Sequence, residues 1–173
     1  MAGGCAALPS DLAQSELFGH ERDAFAGAGE RRIGQIEVAT GGTLFLDEIG
    51  YLGPELQINL LRFLEEKKIR RLGGAKPIPA NVRVIAATNA NIEQALREGR
   101  FREDLFYRLN VLHLRAPALR ERRGDVELLA RHFFNKFSAE VKTVAKGFDR
   151  DALEVINRYD WPGNVRELMN PMR

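Results

Sequence analysis

Cysteine occurs once in the 173 residues, at Cys5, so no disulfide can close within the chain. That scarcity fits a reducing, cytoplasmic setting. No apolar run approaches the length of a membrane-spanning helix. Met1-Ala2-Gly3-Gly4-Cys5 has neither the basic nor the apolar region of a signal peptide. Excess charge of one sign is also lacking: 26 Lys and Arg stand against 24 Asp and Glu, and a net +2 is too small to argue for nucleic acid. The three histidines, His20, His113 and His132, show no metal-ligand spacing. No Ser-His-Asp or Cys-His arrangement is suggested, which ranks metal hydrolysis and covalent catalysis low. There is no internal repeat and no low-complexity tract.

The most informative stretch is Gly41-Gly42-Thr43-Leu44-Phe45-Leu46-Asp47-Glu48-Ile49-Gly50. A short apolar run bounded by glycines predicts a strand buried on both faces. It ends in two carboxylates. In an open parallel sheet, ligands gather at the carboxyl ends of the strands, where Asp47 could hold a hydrated Mg2+ and Glu48 polarise a water. The plainer alternative is an Asp that caps the next helix and a Glu that faces solvent.

Ser10 or Asp11 caps a helix to about Phe18, with Leu8, Leu12 and Phe18 inward, in an otherwise sparsely structured start. Gly19 to Gly34 is a loop whose one large apolar residue, Phe25, either tucks into the core or is presented to a partner. Ile33, Ile36 and Val38 lead as a short amphipathic element into the Gly41-Gly42 turn. Pro54 starts a helix with Leu56, Leu60, Phe63 and Leu64 on its buried face and Lys67 and Lys68 in its last turn. Residues 69 to 81 form a loop or hairpin. Residues 82–87 form a second buried strand ending in Thr88-Asn89. Asn91 caps a helix through Arg97, and a further helix follows over 101–108. Val111 to Leu114 is a third strand. Beyond Pro117 the chain turns helical: a charged hinge, a helix capped by Asp125 with Val126, Leu129, His132 and Phe133 inward, a second from Asp149 with Leu153, Ile156 and Tyr159, and a third capped by Asn164. The expected division is therefore 1–117, α/β, and 118–173, all-helical. Arg102 and Arg108 lie roughly 600° of helix rotation apart and so on different faces; two surface ion pairs with Glu103 or Asp104 would explain them.

Together these segments resemble the central AAA+ module of the sigma-54-dependent transcription activators, the NtrC type. Ser15 to Glu21 with Asp23-Ala24-Phe25-Ala26-Gly27-Ala28 is similar to the loop that touches the sigma factor. Thr43 to Gly50 resembles the Walker B strand, and Ala87-Thr88-Asn89 resembles sensor I. Phe101 to Leu109 resembles the arginine-finger helix, and Trp161 to Leu168 resembles sensor II. The resemblance implies a P-loop-type parallel sheet followed by a helical lid. It implies ATP and Mg2+ as cofactors, with Asp47 on the metal, Glu48 on the attacking water, and Thr88, Asn89 and Arg166 on the nucleotide. Arg102 and Arg108 would reach a neighbouring subunit of a ring, where such fingers are worth about 10^3 or more in rate. Phe25, Ala26 and Gly27 would contact the sigma-54 RNA polymerase holoenzyme, with ATP hydrolysis driving its remodelling. DNA would be read only through a domain outside this chain. A second implication is an ATPase-inactive subunit that joins rings of intact relatives.

The chain departs from that pattern in three ways. It contains no G-x-x-x-x-G-K-[ST], the loop whose backbone amides and lysine cradle phosphates; in the family this loop lies upstream of the position of Cys5, as if the chain were a fragment. The family's phosphate-loop strand is the central one, so the sheet is expected to be incomplete, with open apolar edges at 82–87 and 111–115 and weak stability. Gly3 and Gly4 also stand where apolar strand residues and an Asn are expected, and Asp23 and Ala26 stand where the sigma-contact loop has Gly and Thr.

Overall fold

A computed structural model describes residues 2–4, 10–140 and 145–172. It divides into two compact units, Met1–His113 and Leu114–Arg173.

The first unit is organised on a three-stranded parallel sheet in the order β1 (Ala2–Gly4), β4 (Thr43–Asp47), β7 (Arg83–Ala86). The start of the chain therefore carries a strand, in register with the acidic stretch from Ala2 opposite Phe45 to Gly4 opposite Asp47. Between β1 and β4 runs α1 (Ser10–Phe18), followed by a two-residue pair, β2 (Gly19–His20) with β3 (Arg32–Ile33), and the one-turn α2 (Gln35–Val38). Phe18 is buried as expected, but Leu12 faces solvent and the inward residues are Ala13, Gln14, Ser15 and Leu17. Leu8 and Cys5 lie outside the described residues. Ile36 is buried, whereas Ile33 and Val38 are exposed.

In β4, Leu44 and Leu46 are fully buried while Phe45, on the opposite face, is only half-buried. The expectation of burial on both faces holds for one. β7 is the open edge expected from the missing central strand, and it is not a strand buried on both faces. It pairs with β4 on one side and has no partner strand on the other among the described residues. Its residues alternate between exposed and half-buried, and Ile85 is 43% exposed. Residues 111–114 form no strand: with no neighbour to accept its hydrogen bonds the stretch stays irregular, and Val111 is 87% exposed.

The helix α3 (Pro54–Glu66) carries Pro54 at its first position and buries Leu56, Leu60, Phe63 and Leu64 on one stripe. It ends two residues earlier than expected, at Glu66. Lys67 is the C-cap in left-handed conformation, its N–H donating to the Phe63 carbonyl at 2.9 Å, and Lys68 already belongs to the next strand. The hairpin β5 (Lys68–Ile69) and β6 (Ile78–Pro79) leads to β7. Then α4 (Ile92–Arg97) is capped by Asn91, whose Oδ1 accepts from the Gln94 N–H at 3.0 Å, and α5 (Glu103–Leu109) packs on α3, with its Leu105 and the preceding Phe101 in the core.

The second unit is helical: a 3-10 turn (Leu119–Glu121), then α6 (Arg123–Glu140), α7 (Arg150–Arg158) and α8 (Asn164–Met169). Leu119, Val126, Ala130, Trp161 and Leu168 form its core, with Leu129, Phe148 and Ile156 against it. Asp125 lies inside the first turn of α6 rather than capping it, and His132 is exposed while Ala130 and Phe137 point inward. Asp149 caps α7 as expected, its Oδ1 accepting from Ala152 N–H at 2.8 Å. Tyr159 is half-exposed and bonds the Glu167 carboxylate through its hydroxyl, which pushes the phenol pKa up. Gly163, not Asn164, holds the cap position of α8; the Asn164 Oδ1 accepts from the Leu119 N–H at 2.8 Å, tying the 3-10 turn to the last helix.

Candidate functional site

Two neighbouring parallel strands end side by side. β4 delivers Asp47 and Glu48, and β7 delivers Thr88 and Asn89. The loops that follow are interlocked. Ala87 N–H donates to the Leu46 carbonyl at 2.8 Å, and Ile49 N–H donates to the Ala87 carbonyl at 3.0 Å. Gly50 then presses against the second loop so closely that a Cβ there would lie 2.7 Å from both the Ala90 Cβ and the Thr88 Oγ1. Thr88 Oγ1 accepts from the Ala90 N–H at 3.1 Å, so its hydroxyl is oriented by its own turn.

Asp47 is exposed, and its Oδ1 accepts from the Glu48 N–H at 3.0 Å. Glu48 sits at φ 59°, the left-handed region a glutamate rarely adopts. Such strain costs about 1–3 kcal/mol and concentrates at functional sites. Here the strained residue is the one that follows β4 at the sheet's carboxyl edge. The turn is closed by Tyr51 N–H on the Glu48 carbonyl at 3.1 Å.

These four residues suit the metal and terminal-phosphate end of a nucleotide. Mg2+ keeps several waters and takes one or two carboxylates plus phosphate oxygens, and the described residues hold no group of three or more His, Cys, Asp or Glu able to cage a metal alone. The cradle for the other phosphates has no counterpart in this sequence.

Arg102 and Arg108 stand apart from that edge, on α5. Arg102 is the N-cap residue and grips Asp104 through two hydrogen bonds, Nε to Oδ1 at 3.0 Å and Nη2 to Oδ2 at 2.6 Å. This ion pair pushes Arg102 up and holds Asp104 below its ordinary value. Arg108 donates weakly to the Leu64 carbonyl at 3.4 Å. Arg166 is exposed on α8, in the second unit.

The loop bearing Phe25, Ala26 and Gly27 springs from the β2–β3 pair. Ala26 and Gly27 are exposed at its tip. Phe25 does not project freely: it is half-buried and meets the His20 ring edge-on at 5.1 Å. His20 is buried, with its Nδ1 2.6 Å from the Ser15 Oγ of α1. An aromatic pair of this kind is worth about 0.5–1.5 kcal/mol, a latch weak enough for a partner to open.

Two residues that sequence reasoning passed over hold these parts. Gln57 is fully buried on α3. Its Nε2 donates to the Leu52 and Arg100 carbonyls at 2.8 and 2.9 Å, and its Oε1 accepts from the Arg102 N–H at 2.8 Å. Its signal was a polar side chain inside the apolar stripe Leu56, Leu60, Leu64. Gln57→Leu should leave these groups unpaired at about 1–3 kcal/mol each, read as faster amide exchange at Arg102 and the first turn of α5; unchanged exchange there would contradict the assignment.

Arg71 is the second. Its guanidinium is 6% exposed, binds the Glu37 carboxylate through Nε and Nη2, and reaches Glu21 through Nη1 at 2.7 Å. Hydrogen bonding to Glu37 pushes Arg71 up, and hydrogen bonding to Arg71 holds Glu21 below its ordinary carboxylate value. The stem of the Phe25 loop, α2 and the β5–β6 hairpin thus meet at one buried cation.

Comparison with known proteins gives these features a frame. Residues 1–115 match the Sigma-54 interaction domain, and residues 120–173 match the AAA+ ATPase lid domain. The Nif-specific regulatory protein of Azospirillum brasilense is 54% identical over 166 residues, 96% of this chain and 26% of that protein. The transcriptional regulatory protein ZraR of Salmonella typhimurium is 50% identical over 96% of this chain and 38% of its own length. The crystal structure of NtrX from Brucella abortus superposes with a TM-score of 0.87 at 37% identity, over 99% of this chain and 38% of that one. A structure of NtrX in complex with ATP superposes with a TM-score of 0.87 at 34% identity. This chain spans well under half the length of each of these relatives.

Proposed function

The chain belongs to the Sigma-54 interaction domain family of AAA+ transcription activators, and from that premise we propose that it couples an ATP site to a sigma-54-contacting loop. The observation that supports the reading is the interlocked strand edge, where the carboxylates of β4 and the small polar residues of β7 come to the same end of two paired strands. Bound Mg-ATP would supply a hydrolysable phosphoanhydride there. Asp47 would take the metal side. Glu48, in its left-handed backbone conformation, would orient and polarise water. Thr88 and Asn89 would read the terminal phosphate. Arg102, freed from Asp104, and Arg108 are the groups to complete a neighbouring site, and Arg166 the one to report from the lid.

The contact loop is the output. Phe25 leaving His20 would present an aromatic anchor beside Ala26 and Gly27, and an aromatic in that place is the residue type that dominates interfaces. Capture of purified sigma-54 tests it. The native chain should capture sigma-54, Phe25→Ala should lose it, and Ala26→Thr, which adds a hydroxyl at the tip, should strengthen it. Equal capture by the native chain and Phe25→Ala would contradict the assignment.

A further inference from the structure

A polar cleft of about 590 Å³ opens between α3, β5 and the turn that follows β5. It lies within the first unit and shares no residue with the strand edge that carries Asp47 and Thr88. Arg62, Lys68 and Arg70 line it, all exposed, and among the described residues none makes an ion pair. The local patterns explain the convergence. On α3, Asn59, Arg62 and Glu66 repeat at helical spacing along the flank of the helix beside buried Phe63. On β5 and just beyond it, exposed Lys68 and Arg70 alternate with buried Ile69 and Arg71. The Arg71 charge is already satisfied by Glu21 and Glu37. Glu66 is the carboxylate in the wall, so three unpaired cations face one anion.

We propose that this cleft binds an acidic peptide segment of a partner protein, with carboxylates set on Arg62, Lys68 and Arg70. Clustered cations without partners raise one another's energy, and an anionic segment relieves that repulsion. The buried Phe18, Phe63 and Ile69 beneath them form a floor of low polarisability that strengthens the attraction. A nucleic acid is disfavoured by the same floor. Single-stranded binding needs exposed aromatic faces on which bases stack, and here Phe18 and Phe63 are covered. A duplex needs a long basic track, and the chain's net charge is only +2.

The position gives the cleft a consequence. Its wall, Leu72 and Gly73, is bonded to the stem of the Phe25 loop: Leu72 N–H donates to the Gly19 carbonyl and Glu21 N–H to the Leu72 carbonyl, both at 2.9 Å. Gly73 sits so near Ala24 that a Cβ there would lie 2.9 Å from the Ala24 Cβ. An acidic segment in the cleft therefore lies beside the contact loop, and one partner can engage both.

The probe is a fluorescein-labelled peptide of alternating Glu and Ser, read by anisotropy at low ionic strength against its Gln-Ser counterpart. The Glu-Ser peptide should bind and the Gln-Ser peptide should not. Arg62→Gln with Arg70→Gln should weaken binding about tenfold or more, whereas removing the same charge elsewhere, by Arg150→Gln with Arg158→Gln, should leave it unchanged. Glu66→Gln should tighten binding, a gain that misfolding cannot mimic. Equal affinity of the Arg62/Arg70 variant and the native chain would overturn the proposal. Displacement of the peptide by inorganic phosphate or duplex DNA at a lower concentration than by unlabelled Glu-Ser peptide would overturn it as well. The test does not depend on the nucleotide or sigma-54 reading, so its failure leaves those intact.

Discussion

Replacing Arg71 with methionine costs the first unit about 3–5 kcal/mol, the range for removing one partner of a buried ion pair. The guanidinium is 6% exposed and holds two carboxylates from segments far apart in sequence. Without it Glu37, whose side chain is only 23% exposed, is left as an uncompensated charge, and the hairpin loses its tie to the loop stem. That is a large share of the 5–15 kcal/mol a domain commands, and this sheet is already open at β7. Arg71→Lys should fall between, because a lysine keeps the charge but loses the fork that grips Glu37 through two nitrogens. Urea unfolding followed by near-ultraviolet circular dichroism measures the difference. The acid limb should change too. The folded pKa of Glu21 lies below its ordinary 4.5, so its contribution is complete above that value and is lost as pH falls through the folded one. In Arg71→Met this part of the acid sensitivity should disappear. A variant as stable as the parent, with the same acid limb, would show that Arg71 is a bystander.

Glu48→Gln should lower ATP turnover about 10^2–10^4-fold in a protein that carries this chain behind a phosphate-binding loop, the range for losing a group that handles a proton or orients the attacking water. The amide keeps the size of the side chain but cannot polarise water as a carboxylate does, so nucleotide binding should persist. Glu48→Gly adds a sharper test. Glycine accepts φ 59° without the steric penalty of a glutamate. Glu48→Gly should therefore raise stability by about 1 kcal/mol while abolishing turnover. Opposite signs on stability and activity mark strain kept for function. Loss of both together would mean that Glu48 is only structural, and turnover retained in Glu48→Gln would remove it from the chemistry.

Much of this was legible in the sequence because the signals are local. The glycine-bounded run announced β4, the apolar stripe and Pro54 announced α3, and Asn91 and Asp149 announced their helices as caps. The motifs placed Asp47, Glu48, Thr88 and Asn89 at strand ends, and the pairing of β4 with β7 brings those ends together. What failed depends on distant partners. Val111 to Leu114 has the composition of a strand but no neighbour to pair with, and composition says nothing about a neighbour. The open edge of β7, by contrast, is the one expected from the missing phosphate-loop strand. Arg71 is one of 26 basic residues, and its significance lies in Glu21, fifty positions away. Arg102 shows the limit from the other side: its Asp104 ion pair is the surface contact that its neighbours suggested, so any finger role has to begin by breaking it.

Asp47, Glu48, Thr88 and Asn89 are proposed to form the metal and terminal-phosphate edge of a site whose phosphate cradle has no counterpart in these 173 residues. ATP turnover by the purified 173-residue chain, measured beside the same chain preceded by a phosphate-binding loop, tests it most directly. Turnover at the level of the blank is expected for the first and Glu48-dependent turnover for the second. Turnover by the isolated chain that Glu48→Gln abolishes would contradict it.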